Sequence, residues 1–366
     1  MASNPAPPAL QLPRAGAALP LVQVLRAAAA LSVVVLHVTQ QAGALVGMPG
    51  VAPYRWLRPL PWDAGVDVFF VISGFVMLWS SATLFGRPGG VRLFLLRRVA
   101  RVVPLYWLLT AVLVAGALLR PSWLSEPIGH AWGYVAASFG FIPWRRPDGF
   151  IQPVFRLGWT LNYEMLFYVL FALALRVRAS VGLPWLIAVL VGLAEAGRVL
   201  RPTAAPLAFW TDSIVLEFAY GLLLAAAALA GQRLPGLARI GLAVAAILAL
   251  AADGVAHGVP RGVGWGLPAA ALVGAAVLGP PVAPAGRWGL RWFGWAVALG
   301  DASYALYLVH PFPMRLLDRI WPDGGGMAAV LLYVAAACAI SLALAAAVNR
   351  AVERPLTRAA RRLLGV

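Results

Sequence analysis

Runs of apolar residues, separated by short polar or Pro/Gly-rich pieces, repeat along nearly the whole chain. Each run is close to the ~20 residues that an α-helix needs to cross a bilayer. The pattern therefore predicts an all-α polytopic membrane bundle of about ten transmembrane helices. The runs cover residues 19–44, 65–85, 101–119, 158–177, 181–199, 208–229, 237–253, 264–284, 292–312 and 327–349.

The two ends of the chain differ from these runs. Residues 1–18 are rich in Pro and Ala, and we expect a disordered cytoplasmic tail there. Residues 351–366 contain four Arg and are predicted to be a basic cytoplasmic tail. The predicted transmembrane domain lies between them, at 19–350.

Residues 120–157 are the longest interruption, and their apolar piece at 132–142 is too short to be a clear span. With ten crossings and a cytoplasmic N-terminus, seventeen Arg lie inside, eleven lie outside and Arg26 lies in the membrane. An eleventh crossing at 132–142 would place fourteen on each side. Since basic residues collect on the cytoplasmic side, the Arg count favours ten spans with both termini cytoplasmic.

Composition agrees with a membrane protein: 62% of the residues are hydrophobic and 11% are charged, which excludes an ordinary soluble domain. The net charge of +16 is explained by topology and not by nucleic-acid binding. The single cysteine, Cys338, excludes an intramolecular disulfide. The sequence predicts no metal site and no bound cofactor.

Arg26 and His37 are the only ionisable residues in the stretch LRAAAALSVVVLH of the first run. On a helix their eleven-residue spacing places them within roughly 20° of each other and ~16 Å apart along the axis. Two such groups on one face of a spanning helix indicate that this face looks into protein or a watery cavity. The alternative is that Arg26 snorkels to the headgroups while His37 lies at the outer interface.

Further polar residues fall in the outer half of the predicted membrane domain. Imidazoles and buried carboxylates together are the groups that general base catalysis uses. Asp67 and Asp212 are alternatively explained as helix caps, and Glu164 as an anion in the first turns of a helix. Gly300 and Asp301 are a candidate local break in the ninth run. The outer polar residues are His37, Asp67, Glu164, Asp212, Glu217 and His310.

On the cytoplasmic side, Arg97, Arg98 and Arg101 directly precede the third run, with Pro104 suited to the first turn of its helix. Guanidinium groups beside a helix N-terminus favour phosphate binding. They are alternatively ordinary positive-inside residues.

Six blocks, taken in order, resemble the signature segments of the acyltransferase 3 family of membrane acyltransferases. They extend from Leu25 to Pro355, which is nearly the whole chain. Ala27 and Met165 depart from the family's common Gly and acidic residue. The blocks are LRAAAALSVVVLH, GVDVFFVISGF, LLRRVARVVPLYW, WTLNYEMLFY, GDASYALYLVH and VERP.

The resemblance implies a ten-helix enzyme of the bacterial inner membrane. Such an enzyme moves an acyl group, usually acetyl, from cytoplasmic acyl-CoA to a hydroxyl of a glycan or lipid-linked saccharide. The amino-acid sequences of two blocks are similar to those of the family branch that modifies exopolysaccharides. In this family the Arg and His of the first helix, here Arg26 and His37, are the functional pair.

From these residues we expect His37 to be the general base and Arg26 to bind the donor, at its pyrophosphate or its thioester oxygen. Glu164 is a third candidate catalytic residue. Either Glu164, Asp67 or His310 would orient His37 or hold sugar hydroxyls. Direct transfer and an acyl-His intermediate both stay open. The remaining candidate substrate-binding residues are Arg97, Arg98, Arg101, Ser303 and Tyr304.

Two other classes of protein compete with this interpretation. A proton-coupled secondary transporter also uses buried Glu, Asp and His, although the sequence shows no inverted repeat. A non-catalytic assembly protein for polysaccharide export would leave the alignment of Arg26 and His37 unexplained.

Overall fold

In a computed structural model the chain is described over residues 20–45, 61–119, 132–280, 286–321 and 326–366. Within these residues every regular element is a helix, and one isolated antiparallel bridge joins Arg145 to Ile151. The predicted all-α class is confirmed. The predicted disordered tail at 1–18 lies outside the described residues.

The described residues contain sixteen α-helices, and short 3₁₀ turns lead into α2, α5 and α8. A π-helical turn, Asn349–Glu353, joins the last two helices. The helices are α1 (Pro20–Leu45), α2 (Gly65–Ser81), α3 (Gly90–Leu119), α4 (Trp132–Phe139), α5 (Trp159–Ala174), α6 (Ala179–Leu200), α7 (Ala205–Trp210), α8 (Leu216–Leu229), α9 (Gly236–Ala251), α10 (Arg261–Gly264), α11 (Gly266–Val277), α12 (Gly286–Asp301), α13 (Ser303–Val309), α14 (Pro311–Ile320), α15 (Gly326–Val348) and α16 (Arg354–Leu364).

Six helical segments of the described chain are long and apolar enough to cross a membrane, and three more are apolar but shorter. The chain is therefore a multi-pass membrane protein. The six are Pro20–Ala42, Trp62–Leu84, Gly90–Leu119, Arg156–Ala174, Ala179–Leu200 and Met327–Leu364. A count of ten spans requires the three shorter helices and the broken pair α12–α13 to cross as well, so it stays a prediction.

The apolar piece at 132–142 forms helix α4, whose eight residues measure about 12 Å, far less than a bilayer core. It packs against α3. The Tyr106 hydroxyl donates to the backbone oxygen of Ser138 at 2.9 Å, and the Trp107 indole N–H donates to that of Phe139 at 2.9 Å. The segment therefore folds back onto α3 and is too short to cross.

Helix α1 is central in the bundle, because α2, α11, α12, α13, α14 and α15 all contact it. Its residues Ala30, Val34 and Val38 are fully buried. A central helix exposes little of its surface to lipid, so ionisable side chains on it face other helices. This position removes most of the cost of placing Arg26 and His37 in a membrane.

The expected start of the third helix is wrong. The third helix begins at Gly90, directly after Gly89 with φ +75°, and not at the start of the apolar run. Arg97, Arg98 and Arg101 are therefore two to three turns inside α3, and Pro104 lies in its interior. The error arises because hydropathy marks where a helix enters the membrane and not where the helix begins.

The run 292–312 is not one helix. Helix α12 ends at Asp301 and α13 begins at Ser303, so the local break suspected at Gly300 and Asp301 is present. A Cβ at Gly300 would lie 2.1 Å from the backbone oxygen of Gln23. Only glycine lets α12 approach α1 this closely, and the break then directs α13 along α1.

Candidate active site

Two pockets adjoin α1 at different levels, and we name them for the two faces of the predicted topology. The inner pocket, about 140 Å³, contains Arg26, and the outer pocket, about 1030 Å³, contains His37. The two residues of the first-helix pair thus open onto different cavities. Besides Arg26, the polar side chains that line the inner pocket come from four other helices and include Ser73, Arg98, Arg101, Glu164, Tyr168, Ser303 and Tyr304.

Arg26 is held in the inner pocket by the start of α13. Its Nε donates a hydrogen bond to the Ser303 hydroxyl at 3.3 Å. Ser303 is fully buried and follows the break after α12, so the Gly300 contact with α1 sets its position. The bond uses Nε, which leaves the planar fork of the guanidinium for another acceptor.

Glu164 lies with Arg26 and not with His37, although the sequence placed it among the outer polar residues. Its carboxylate accepts hydrogen bonds from the Ser73 hydroxyl at 2.5 Å and from the Tyr168 hydroxyl at 2.8 Å. These bonds join α2 and α5 beside the inner pocket. Nearby, the Tyr304 hydroxyl donates to the backbone oxygen of Val102 at 2.7 Å and fixes α13 against α3.

The three arginines of α3 have different surroundings. Arg98 lines the inner pocket, donates to the Ser80 hydroxyl at 3.2 Å and lies over the Phe94 ring. Arg101 also lines the pocket, but it forms an ion pair with buried Glu353. Arg97 is exposed and is not part of the lining. Two of the three arginines therefore line the inner pocket, and the third lies on the surface.

In the outer pocket, His37 is paired with a second imidazole. His37 Nδ1 lies 3.0 Å from His310 Nε2, and His310 Nδ1 lies 3.1 Å from the backbone oxygen of Leu306. A carbonyl oxygen only accepts, so His310 Nδ1 carries the proton in that bond. With both rings neutral, His310 Nε2 then accepts from His37 Nδ1–H. His37 Nε2 is left as an unprotonated acceptor.

The two histidines differ in access. His310 is fully buried, whereas His37 lines the outer pocket. His37 is therefore the ring that can meet a ligand, and His310 lies behind it.

Aromatic side chains of the inner pocket lie next to the outer pocket. Phe69 and Tyr307 both line the inner pocket and meet edge to face, with ring centroids 6.3 Å apart. The Tyr307 hydroxyl donates at 3.2 Å to the backbone oxygen of Leu157, which lines the outer pocket. Tyr307 therefore lines the inner pocket and is bonded to a residue that lines the outer one.

Asp67 does not orient His37 and does not cap α2. Its carboxylate accepts two hydrogen bonds from Arg261, at 3.0 Å and 2.8 Å. Arg261 also stacks over Trp159 and Trp265. This pair ties α2 to α10, so the fully buried Asp67 is explained by a structural contact. By contrast, Asp212 is a cap as expected, since its side chain accepts from the Ile214 N–H at 2.9 Å.

Sequence reasoning missed several residues that line the two pockets or pair with their lining. Ser73 and Tyr168 stand inside two of the family-like blocks, and Glu353 belongs to VERP, so a signal was present for each. The residues of the outer pocket contributed by 144–157 lie in a segment with no such signal. They come together only through folding.

The chain matches the acyltransferase 3 family, described as an acyltransferase domain, over residues 21–349. The protein belongs to this family, and the predicted acyltransferase enzyme is confirmed. This membership also sets aside the transporter and the non-catalytic assembly protein as alternatives.

Two relatives are similar over most of the chain. One is the "exopolysaccharide production protein ExoZ" of Rhizobium meliloti (strain 1021), 36% identical over 310 residues that cover 81% of this chain and 90% of that protein. The other is the "acyltransferase MdmB" of Streptomyces mycarofaciens, 29% identical over 281 residues, covering 70% of this chain and 69% of that protein. No solved structure matches the chain.

Proposed function

We propose that this enzyme moves an acyl group, most simply acetyl, from cytoplasmic acyl-CoA to a hydroxyl of a cell-surface glycan or lipid-linked saccharide. The observation that carries the proposal is the division of the first-helix pair between two pockets. Arg26 lies in a small basic pocket on one side, and His37 lies in a large pocket on the other. A donor and an acceptor that approach from opposite faces of a membrane require this arrangement.

The inner pocket is the proposed donor site. Arg26, Arg98 and Arg101 bring three guanidinium groups to it, and planar guanidinium forks suit phosphate oxygens. Arg98 and Arg101 lie inside α3 and not at its N-terminus, so the positive charges alone support phosphate binding. Arg26 and His37 are ~16 Å apart along the helix, which favours the pyrophosphate of CoA over the thioester oxygen as the ligand of Arg26.

In this proposal the pantetheine arm of CoA runs along α1 from the inner pocket toward His37. Phe69 and Tyr307 stand in its way, so passage of the arm requires their rings to move. Glu164 and Tyr304 line the inner pocket beside this route. We assign Glu164 to hold the pocket through Ser73 and Tyr168, because two hydrogen bonds already occupy its carboxylate.

His37 is the proposed general base, with His310 as its positioning residue. The unprotonated Nε2 of His37 takes the proton of the acceptor hydroxyl while that oxygen bonds to the thioester carbonyl carbon. The C–S bond then breaks, and the CoA thiolate leaves with the proton from His37. His310 keeps the lone pair on the correct nitrogen, since it occupies Nδ1–H.

An acyl-His37 intermediate uses the same Nε2 lone pair, so this geometry serves either route. The two are separated by incubating the purified enzyme with radiolabelled acetyl-CoA and no acceptor. Label that remains on wild-type protein and is lost in His37→Ala identifies the acyl-enzyme route. Direct transfer leaves no label on either protein.

The acceptor class is supported by similarity to a protein named for exopolysaccharide production. We accordingly place the enzyme in the inner membrane of a bacterium, where acyl-CoA and growing surface saccharides meet on opposite faces. The in vivo test compares the O-acetyl content of surface polysaccharide in the intact strain, a deletion strain and a strain with His37→Ala. An unchanged O-acetyl content in the deletion strain would exclude this acceptor.

The in vitro test uses transfer from radiolabelled acetyl-CoA by purified, monodisperse variants. His37→Ala should lose transfer by about 10² to 10⁴, the usual cost of removing a general base. Arg26→Lys keeps the charge but loses the planar fork, so we expect a raised KM for acetyl-CoA. Transfer near the wild-type rate in His37→Ala would remove the residue on which the proposal depends.

A further inference from the structure

The outer pocket carries more positive than negative charge. Arg145 and Arg146 help to fold the surrounding loop, since Arg145 donates to the backbone oxygens of Gly149 and Thr203 and Arg146 pairs with Asp148. These contacts explain why two of the arginines are there. The charged side chains of the lining are Arg145, Arg146, Arg156, Arg315, Asp148 and Asp318.

Arg156 and Arg315 come from different elements and face the same cavity. Arg156 begins the turn before α5, and Arg315 is on α14, which is not among the membrane-spanning helices. Burial lowers the pKa of Arg315, and the positive charges of Arg156 and, to a smaller extent, Arg319 lower it further. Both guanidinium groups line the same cavity, so their like charges repel each other.

A carboxylate lies near Arg315, and within the described residues none is bonded to Arg156. Asp318, one turn after Arg315, also accepts a hydrogen bond from the Tyr333 hydroxyl at 2.7 Å. Arg156 has no hydrogen-bond or ion-pair partner within the described ranges. An anion between the two arginines would gain charge-assisted hydrogen bonds and remove the repulsion.

The rest of the outer pocket suits a sugar. Trp144 and Trp159 contribute flat apolar surfaces with a polar N–H edge, and His37 lies in the same lining. A saccharide that packs on these rings can present one hydroxyl to His37 while an anionic group is held by the arginines. Carbohydrate-sized ligands fit, because the cavity measures about 1030 Å³.

We propose that the acceptor carries an oxyanion, either a sugar carboxylate or a phosphate, which Arg156 and Arg315 bind together in the outer pocket. This inference rests on the proposed function, since it names the chemical class of the acceptor. The oxyanion sets which saccharide is accepted and in what orientation, whereas His37 carries out the chemistry.

The test measures the binding of small probes to the purified full chain in a neutral detergent. Binding is monitored by ligand-observed NMR titration. The probes are methyl glucuronide, glucose 1-phosphate and, as the neutral counterpart, methyl glucoside. We expect an anionic probe to bind about tenfold or more tightly than methyl glucoside at low salt, and less so as salt is added. A preference for the glucuronide indicates a sugar carboxylate, and a preference for the phosphate indicates a phosphorylated saccharide.

Arg156→Gln and Arg315→Gln should each abolish the preference. Arg319→Gln is the matched control, because Arg319 is on the same helix and carries the same charge but does not line the pocket. Equal binding of charged and neutral probes by the wild type would overturn the proposal. So would an equal loss in Arg319→Gln, which would assign the effect to the general surface charge.

Monodisperse elution and an unchanged KM for acetyl-CoA show that each variant is folded. The binding assay contains no acyl-CoA, so its failure leaves the acyl-transfer proposal standing. Conversely, a fully active His37→Ala would remove the proposed function without affecting anion binding at Arg156 and Arg315.

Discussion

The pairing of His37 with His310 gives the most specific test of the proposed chemistry. Replacing His310 by Ala leaves the Nδ1–H of His37 without its acceptor, and the His37 proton is then free to occupy Nε2. A buried donor left without a partner costs about 1–3 kcal/mol. If this energy is lost in the transition state, kcat falls by about 5- to 150-fold.

Two other substitutions separate positioning from packing. His310→Gln places an amide oxygen near the position of Nε2, where it can accept from His37 Nδ1–H, so we expect it to recover much of the activity. His310→Asn places its polar group near Nδ1, within reach of Leu306 but short of His37, so it should resemble His310→Ala. Both replacements are polar and of similar size, which makes them a matched pair.

The assay is transfer from radiolabelled acetyl-CoA, with kcat and both KM values measured for monodisperse variants. We expect the loss in His310→Ala to appear in kcat, with the acetyl-CoA KM unchanged, and to be smaller than the loss in His37→Ala. Equal activity of the Gln and Asn variants would refute the reasoning, because a purely structural role does not distinguish them. Activity near wild type in His310→Ala would also refute it.

Three further predictions concern the donor site, the helix packing and the topology. Arg98→Gln should raise the KM for acetyl-CoA by about tenfold or more with little change in kcat, while Arg97→Gln, the exposed neighbour, should not. Gly300→Ala should lower the free energy of unfolding by about 1–3 kcal/mol, which is measured as a lower thermal unfolding temperature, and should reduce activity. Gly294→Ala is the control, because Gly294 is on the same helix and an added Cβ there would have no atom within 4 Å. A reporter protein that works only in the cytoplasm should be active when it is fused at Val366. Activity of a reporter that works only in the periplasm would contradict the cytoplasmic C-terminus.

The sequence alone determined the features that depend on local pattern. Apolar runs of bilayer length predicted the all-α class and most of the helices, because a membrane permits little else. The eleven-residue spacing of Arg26 and His37 placed both on one face of α1, since the helical repeat fixes the angle between them. The six ordered blocks indicated the family, which the comparison with known proteins confirmed.

Only the tertiary structure decided which side chains meet. His37 and His310 are 273 residues apart, and Arg26 and Ser303 are 277 apart. Asp67 and Glu164 looked equivalent in the sequence, yet one pairs with Arg261 and the other lines the pocket of Arg26. Periodicity gives the face and depth of a residue on its own helix, but the rotation and neighbours of each helix follow from packing such as the contact of Gly300 with α1. For this reason the partners of the site residues, and the two pockets that they line, could not be predicted from the sequence.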